Sequence, residues 1–502
     1  MQVYSISEYL DILQKENLVS DFDLKSTGEK RVRHISYDSN DVDYNTLFIC
    51  KGIHFKEEYL ISTQTKGAVC YISEKRYKSS DLPYIIVSDI KRSMAIVADY
   101  FYNNIWKNIN MIGITGTKGK STVTYFLKYI IDDFAKDFHK EKCAVISSIE
   151  TYDGTDKFES HLTTPEAVML HKHIDNAVRH NMEYLVMEVS SQALKYDRTY
   201  GIVYDISCYL NLGQDHISPL EHKDFEDYKE SKMKLFDSGK VAVINKDGEY
   251  AEEVIRRAEA SNVNERIVTF ACDREADIVG YDIVSGKKGI TFRCKCEAFD
   301  EEFHIGLPGI FNVSNALAAI SMAYIMNIPM NNIKNGLKKA RVSGRMEVFT
   351  DPNETVTVFV DYAHNKMSFE TLFKSVKKEY PNSKIFIVFG CPGKKALGRR
   401  KELGEIAGEY ADMCFLTEED AGEEDAHRIS EEIAGYIEKT GGEYEIIDDR
   451  RMAIFEAVRR ADENTVILVT GKGRETRQKR GIEYVDTPSD VDYVIDALRQ
   501  RI

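Results

Sequence analysis

Apolar residues in this chain fall into short runs of strand length that alternate with longer stretches of helical spacing. The clearest pair is Ile109, Met111, Ile112 and Ile114, followed by Val123, Phe126, Leu127, Ile130 and Ile131. The first run predicts a buried strand and the second an amphipathic helix. Earlier runs predict strands at 46–50 and 68–72 and a helix over 91–102. Later ones predict strands at 143–149, 184–189, 204–210 and 241–244 with helical patterns between them. From 278 to 305 the pattern changes to alternating strands around a Gly286-Lys287-Lys288-Gly289 turn, an antiparallel insertion, before a helix over 312–325. A fresh alternation then supplies strands at 356–360, 384–389, 413–417 and 466–470, with helices at 425–437 and 451–461.

Strands alternating with helices imply mostly parallel sheets covered by helices, an α/β class. At 502 residues the chain exceeds one hydrophobic core. The pattern divides it into a small mixed domain (1–108), a doubly wound domain (109–338) and a second α/β domain (339–502). In such sheets ligands collect at the carboxyl ends of the strands. Residues 338–344, between the last two domains, are the candidate hinge.

Composition narrows the class. Hydrophobic content of 43% with 30% charged residues belongs to a folded globular protein. No apolar run reaches the ~18 residues of a membrane span, and Met1-Gln2-Val3-Tyr4-Ser5 lacks the start of a signal peptide. A cytoplasmic monomer without membrane insertion is the expectation. Nine cysteines, scattered apart from Cys294 and Cys296, give neither a disulfide framework nor zinc spacing. A formal charge of -15 disfavours nucleic acid as partner.

Between the opening strand and helix lies Gly113-Ile114-Thr115-Gly116-Thr117-Lys118-Gly119-Lys120-Ser121-Thr122. A strand, a glycine-rich turn and a helix start form a phosphate cradle, in which backbone N–H groups and the helix dipole meet the anion. Lys120 can reach the β/γ-phosphates and the Ser121 hydroxyl can hold Mg²⁺. The standard loop has glycine five residues before Gly119, and here that position is Ile114.

Glu188, at the tip of a strand, suits either a Mg²⁺ ligand or a helix N-terminal acid. His216 reads as a loop histidine, Lys232 as a solvated helix lysine, and Ser39 and Lys51 as ordinary loop chemistry. Arg341, Arg345, Lys394, Lys395, Arg399 and Arg400 stand near glycine turns, where phosphate or carboxylate contact is expected.

The set as a whole resembles the Mur ligases, whose ATP loop has the form G-T-x-G-K-[ST]-[ST]. The matches run through Thr163-Thr164-Pro165, Glu188-Val-Ser-Ser191, Asn211-Leu-Gly-Gln-Asp215-His216, Gly309-Ile-Phe-Asn312-Val-Ser-Asn315, Gly344-Arg-Met-Glu-Val-Phe349, Asp361-Tyr-Ala-His364 and Gly471-Lys-Gly-Arg-Glu475. Several look like the MurE type, which adds a diamino acid to UDP-N-acetylmuramoyl-L-Ala-D-Glu. The resemblance implies a UDP-sugar-binding domain, a P-loop ATPase domain and a Rossmann-like amino-acid domain, with amide formation through an acyl phosphate. It assigns Gly116, Thr117, Lys118, Gly119, Lys120, Ser121, Thr122, Asn312, Arg345 and Asp361 to ATP. It assigns Ser121 and Glu188 to one Mg²⁺, and His216 with a CO₂-derived carbamate on Lys232 to the second metal. Lys120, Glu188, His216 and Lys232 form the implied catalytic set. Ser39, Thr163, Thr164, Ser190 and Arg198 match positions that hold the UDP-sugar dipeptide, and Lys395, Glu419, Asp420, Gly471 and Glu475 those that meet the amino acid.

The departures are specific. Asn40 replaces an arginine and Tyr196 a glutamine, and Lys395 stands where the family has arginine. The D-N-P-R segment, whose arginine grips the distal carboxylate of meso-diaminopimelate, is Glu419-Asp420-Ala421-Gly422 here. Acids at Glu418, Glu419, Asp420, Glu423 and Glu424 favour an amine side chain, hence L-lysine. Two other readings share these residues: a folylpolyglutamate-synthase-like ligase, and a Mur-like protein that binds a nucleotide sugar without catalysis.

Overall fold

The computed structural model describes residues 3–52, 55–160, 162–215, 217, 221–286, 289–353 and 355–501. Three large sheets carry the chain, all of them extended beyond the strands read from sequence. The N-terminal sheet has the order Val19–Asp23, Tyr84–Val87, Ala68–Ser73, Thr46–Ile49, His34–Ser36, parallel except at the first, edge strand. One face packs on helices Ile6–Lys15 and Ile90–Phe101, and that core also takes in Ala167 and Val168 from the central region.

The central sheet has eleven strands. Its parallel heart runs Ala144–Ile146, Tyr184–Glu188, Asn110–Thr115, Tyr204–Tyr209, Gly239–Asn245, Arg266–Ala271. Asn110–Thr115 is buried beyond its first residue because both sheet faces are covered. Gly113 in its middle is required by close packing: a Cβ there would lie 2.8 Å from the Tyr204 ring. Helix Lys120–Asp137 buries Val123, Phe126, Leu127, Ile130 and Ile131 completely, each worth roughly 1.5–3 kcal/mol in removed apolar surface. Helix Met330–Lys339 lies directly on it at Gly336, where a Cβ would come within 2.4 Å of Ile130 Cα.

The expected insertion at 278–305 is instead a continuation of this sheet. Ile278–Gly286 pairs in parallel with Arg266–Ala271, and Gly289–Lys295 and Asp300–Ile305 follow antiparallel. Lys287 and Lys288 of the expected turn lie outside the described residues. The strand read at 143–149 stops at Ile146, because the Ser147 hydroxyl accepts from the N–H of Ile149 (3.1 Å) and Glu150 (3.0 Å) and turns the chain.

The C-terminal sheet has the order Glu347–Thr350, Val356–Asp361, Thr465–Thr470, Lys384–Phe389, Met413–Leu416, Tyr444–Ile446, parallel except for its first strand. A hairpin of Arg477–Arg480 and Glu483–Asp486 stands beside it. No helix among the described residues is long and apolar enough to cross a membrane.

Candidate active site

Parallel register brings the informative strand ends together. Ile114 lies opposite Glu188 and Thr115 opposite Tyr209, so the glycine loop, Glu188 and the segment after Tyr209 share one rim. Asn211 clamps the loop from that segment. Its Oδ1 accepts from Lys118 N–H (2.9 Å), its Nδ2 donates to Lys118 O (3.1 Å), and its carbonyl accepts from Thr117 N–H (3.0 Å). Gly119 has φ +87°, and a Cβ would meet Asn315 Oδ1 at 2.4 Å. No side chain caps the helix that follows, which leaves its first N–H groups for an anion.

Oxygen donors gather at the first helical turn. Ser121 Oγ lies 3.0 Å from Ser148 Oγ, and Ser148 donates to Glu188 Oε1 from both its N–H (2.9 Å) and its hydroxyl (3.2 Å). Glu188 is 1% exposed. Two hydroxyls and a buried carboxylate are a hard-oxygen set of the kind Mg²⁺ takes. Ser148 was not singled out in the sequence, where it sits in an apparent strand.

Lys232 is not a solvated helix lysine. Helix Phe225–Met233 turns it inward to 3% exposure, and its Nζ donates to Gly116 O at 3.0 Å, the carbonyl that also accepts from Lys120 Nζ at 2.9 Å. Burial drives the Lys232 pKa well below the ordinary lysine value, and neighbouring Lys120 and Lys118 push the same way. Burial also lowers Lys120, and takes Lys118 to about 8 against the opposing pull of Asp215. His216 lies outside the described residues.

The rim opens into a cavity of about 500 Å³ between the central and C-terminal sheets. Thr117, Lys118, Gly119, Lys120, Ser121, Thr122, Ser148, Thr163 and Glu188 line it together with Asn312, Arg345 and Asp361. The Arg345 guanidinium stacks 4.6 Å from the Tyr362 ring centre and donates to Ser121 Oγ at 3.3 Å. Burial raises the Asp361 carboxyl, which accepts from Met346 N–H at 2.8 Å. Asp215 ties the two sides: it pairs with Lys118 (3.8 Å) and Arg399 (3.0 Å) and accepts from Asn365 Nδ2 (2.5 Å). Gly116 lies beneath the cavity lining rather than in it.

Other sequence-selected residues form separate groups. Thr164 Oγ1 donates to Glu188 O (2.9 Å) and accepts from Ser190 N–H (3.0 Å), while Arg198 Nη1 donates to Thr164 O (3.1 Å). Ser39 lies in an N-terminal turn, where its carbonyl accepts from Lys66 Nζ at 2.6 Å. Of the six cations near glycine turns, Arg345 alone lines the cavity; Lys394 and Arg400 pair with Glu423 and Glu424, Arg341 donates to carbonyls, and Lys395 is exposed.

The acidic stretch is equally selective. Glu418 pairs with Arg480, Asp420 with Lys472 (2.9 Å), Glu423 with Lys394 (2.7 Å) and Glu424 with Arg400. Glu419 has no hydrogen-bond or ion-pair partner among the described residues, although it is only 8% exposed. Burial raises it from the usual 4.5 to about 7 despite Arg450 and Lys472 nearby. Gly471 (φ +105°) borders it so closely that a Cβ would lie 2.1 Å from Glu419 Oε2. Glu475 accepts from the Tyr362 hydroxyl at 2.6 Å and pairs with Lys472 at 2.8 Å, which links this rim to the cavity wall.

The family profile for the Mur ligase middle domain matches residues 114–323, and that for the Mur ligase glutamate ligase domain matches 344–473. A UDP-N-acetylmuramoyl-L-alanyl-D-glutamate–L-lysine ligase of Enterococcus faecalis is 36% identical over 500 residues, covering 97% of this chain and 96% of the relative. The chain belongs to the Mur ligase family. A UDP-N-acetylmuramoyl-L-alanyl-D-glutamate–2,6-diaminopimelate ligase of Clostridioides difficile is 34% identical over 93% of this Mur ligase and 95% of its own length. A solved structure of a 2,6-diaminopimelate ligase of the same type superposes with TM-score 0.68 at 25% identity, covering all of this chain and 99% of the other.

Proposed function

We propose that this Mur ligase is of the MurE type: it joins a diamino acid, L-lysine, to UDP-N-acetylmuramoyl-L-Ala-D-Glu at the expense of ATP, in the synthesis of peptidoglycan precursor. The observation that carries the reading is the convergence of the glycine loop, Ser121, Ser148 and Glu188 with Asn312, Arg345 and Asp361 on one cavity. In this reading residues 1–108 bind the UDP-sugar, 109–338 the ATP phosphates and 339–502 the amino acid.

The loop N–H groups and Lys120 hold the β/γ-phosphates, and the Arg345–Tyr362 stack, Asn312 and Asp361 hold the rest of the nucleotide. Ser121, Ser148 and Glu188 would hold Mg²⁺, which when bound neutralises charge on the transferring phosphoryl group. The D-Glu carboxylate enters from the Thr163 side and bonds to the γ-phosphorus as the bond to ADP breaks; the amino acid's amine then attacks the acyl phosphate carbon, loses a proton and expels inorganic phosphate as the amide forms. Lys120 stays within the same wall to meet the charge that develops on transfer. Lys232 is buried beside two other lysines, so its amine sheds its proton readily and can take up CO₂ as a carbamate; the product is an anion suited to a second Mg²⁺. His216 would complete that second site.

Selection of lysine rests on Glu419. Four of five acids in its stretch are neutralised by the chain's own cations, which leaves one carboxylate for a ligand ammonium. Gly422 offers no guanidinium to a distal carboxylate. The test is phosphate release from ATP and Mg²⁺ with the UDP-muramoyl dipeptide and a panel of amino acids. Release with lysine and not with meso-diaminopimelate is expected; the reverse refutes the specificity, and tight dipeptide binding with no release for any amino acid refutes catalysis.

A further inference from the structure

His364 lines the cavity with one imidazole nitrogen bonded and the other open. Its Nδ1 lies 2.6 Å from the carbonyl oxygen of Tyr362. A carbonyl only accepts, so Nδ1 carries the proton and the neutral ring presents a lone pair at Nε2. Nε2 has no hydrogen-bond partner among the described residues, and the side chain is half-buried. The backbone beneath it is fixed. Ser368 Oγ accepts from the N–H of His364 (3.2 Å) and of Asn365 (3.1 Å), and Asn365 closes a capping box on helix Lys366–Glu379.

The location matters. Lys118 and Asp215 face the ring from the central domain and Arg399 from helix Gly398–Tyr410. The Tyr362 ring stands against it at 5.0 Å and 75°. Lys118 belongs to the glycine loop, while the Tyr362 hydroxyl donates to Glu475 on the amino-acid rim. His364 thus sits between the loop that holds the phosphates and the rim that meets the amine. The cavity's acids are occupied: Glu188 with Ser148, Asp361 with Met346 N–H, and Asp215 with Arg399, Asn365 and Lys118. Burial, Lys118 and Arg399 hold the imidazole well below its ordinary pKa, so it stands unprotonated in the free protein. An acyl phosphate beside it is an anion and pulls the other way, which strengthens the ring as a base once the intermediate has formed.

We propose that His364 is the general base of the amide-forming step and takes the proton of the attacking amine at Nε2. This rests on the ligase reading above and adds a catalytic residue to it. The amine enters the step as its free base, having left one proton to solvent. Its nitrogen bonds to the acyl carbon, gives a second proton to Nε2, and the carbon–oxygen bond to phosphate breaks with its electron pair going to phosphate. The imidazolium left between Lys118 and Arg399 returns its proton to water through the half-exposed face of the ring. Activation of the carboxylate by ATP needs no base, since a carboxylate is already ionised, so His364 acts on the second half of the reaction alone.

The experiment compares two nucleophiles on the full chain and on His364→Asn, whose amide keeps a donor for the Tyr362 carbonyl and has no basic nitrogen. Both proteins receive ATP, Mg²⁺ and UDP-N-acetylmuramoyl-L-Ala-D-Glu. One arm adds whichever of lysine and meso-diaminopimelate the unchanged protein uses, and measures tripeptide. The other adds hydroxylamine, a free base at neutral pH that captures acyl phosphates without help, and measures hydroxamate. His364→Asn is expected to lower kcat for the amino acid roughly a hundred- to ten-thousand-fold, the usual worth of a general base, with its KM little changed. Hydroxamate should form within a few-fold of the unchanged rate, which also shows that the variant is folded and activates the carboxylate. A loss of kcat below tenfold, a loss confined to KM, or an equal loss with hydroxylamine overturns the proposal and leaves the ligase reading intact. Failure of the unchanged protein to form either product overturns both.

Discussion

Glu419→Gln should make the free protein more stable and at the same time poorer at using lysine. The carboxyl titrates near 4.5 when unfolded and near 7 in the fold, because burial disfavours its charge. That gap corresponds to about 3 kcal/mol of folding free energy, to order of magnitude. The sign follows from proton binding. The folded state holds the proton more tightly, so the wild-type protein gains stability as pH falls from about 7 towards 4.5 and carries the full penalty above about 7. Glutamine has no charge to desolvate, so the variant should be more stable at pH 8 by roughly 1–3 kcal/mol, the advantage vanishing near pH 4. Hydrogen exchange of Met413–Leu416 and Thr465–Thr470, the strands that carry this rim, isolates the effect in a chain too large for one two-state transition. Meanwhile the KM for lysine should rise roughly ten- to a hundred-fold, the value of a charged hydrogen bond to the ammonium, while KM for ATP stays unchanged. A variant with wild-type stability at both pH values and an unchanged KM for lysine would falsify this account of Glu419.

The other perturbations act elsewhere. Lys232→Ala should abolish turnover, and added bicarbonate should not restore it; activity within a few fold of wild type in a phosphate-release assay would remove the carbamate role. Gly119→Ala forces a side chain into φ +87° and against Asn315 Oδ1. It should cost at least ~1–2 kcal/mol and weaken ATP binding in a fluorescence titration, and an unaltered nucleotide affinity would contradict the packing described. Arg450 forms a buried two-pronged pair with Asp490 (2.6 and 2.7 Å) and donates to Thr470 O (2.7 Å). Arg450→Met strands the Asp490 charge and should cost about 3–5 kcal/mol, read as early melting of the C-terminal sheet; a loss under ~1 kcal/mol would show that water reaches the pair.

Much of the fold was legible because buried parallel strands write continuous apolar runs, as at 184–189 and 466–470. Edge strands such as Glu347–Thr350 and Tyr444–Ile446 were missed, being half-buried and short. The continuation at Ile278–Gly286 looked like a separate insertion because its two-residue period signals antiparallel pairing, while its parallel link to Arg266–Ala271 spans only Phe270 and Ala271. At the site, motifs marked the loop, Glu188 and Arg345, since glycine turns and strand-end acids are local signals. Ser148 and the inward Lys232 depend on contacts with residues 40 and 116 positions away, which no local pattern records. The acidic stretch suggested many ammonium ligands; only the pairing with Arg480, Lys472, Lys394 and Arg400 reduces them to Glu419.

The central claim is that a carboxylate of the dipeptide is activated by ATP in the cavity and then captured by lysine. It is tested most directly by labelling the D-Glu side-chain carboxylate with heavy oxygen, running the reaction with ATP, Mg²⁺ and lysine, and weighing the released phosphate by mass spectrometry. Acyl-phosphate chemistry predicts that each phosphate carries one oxygen from the labelled carboxylate, in step with formation of the lysine-containing tripeptide. Unlabelled phosphate, or label transfer that proceeds with diaminopimelate and not with lysine, would contradict it.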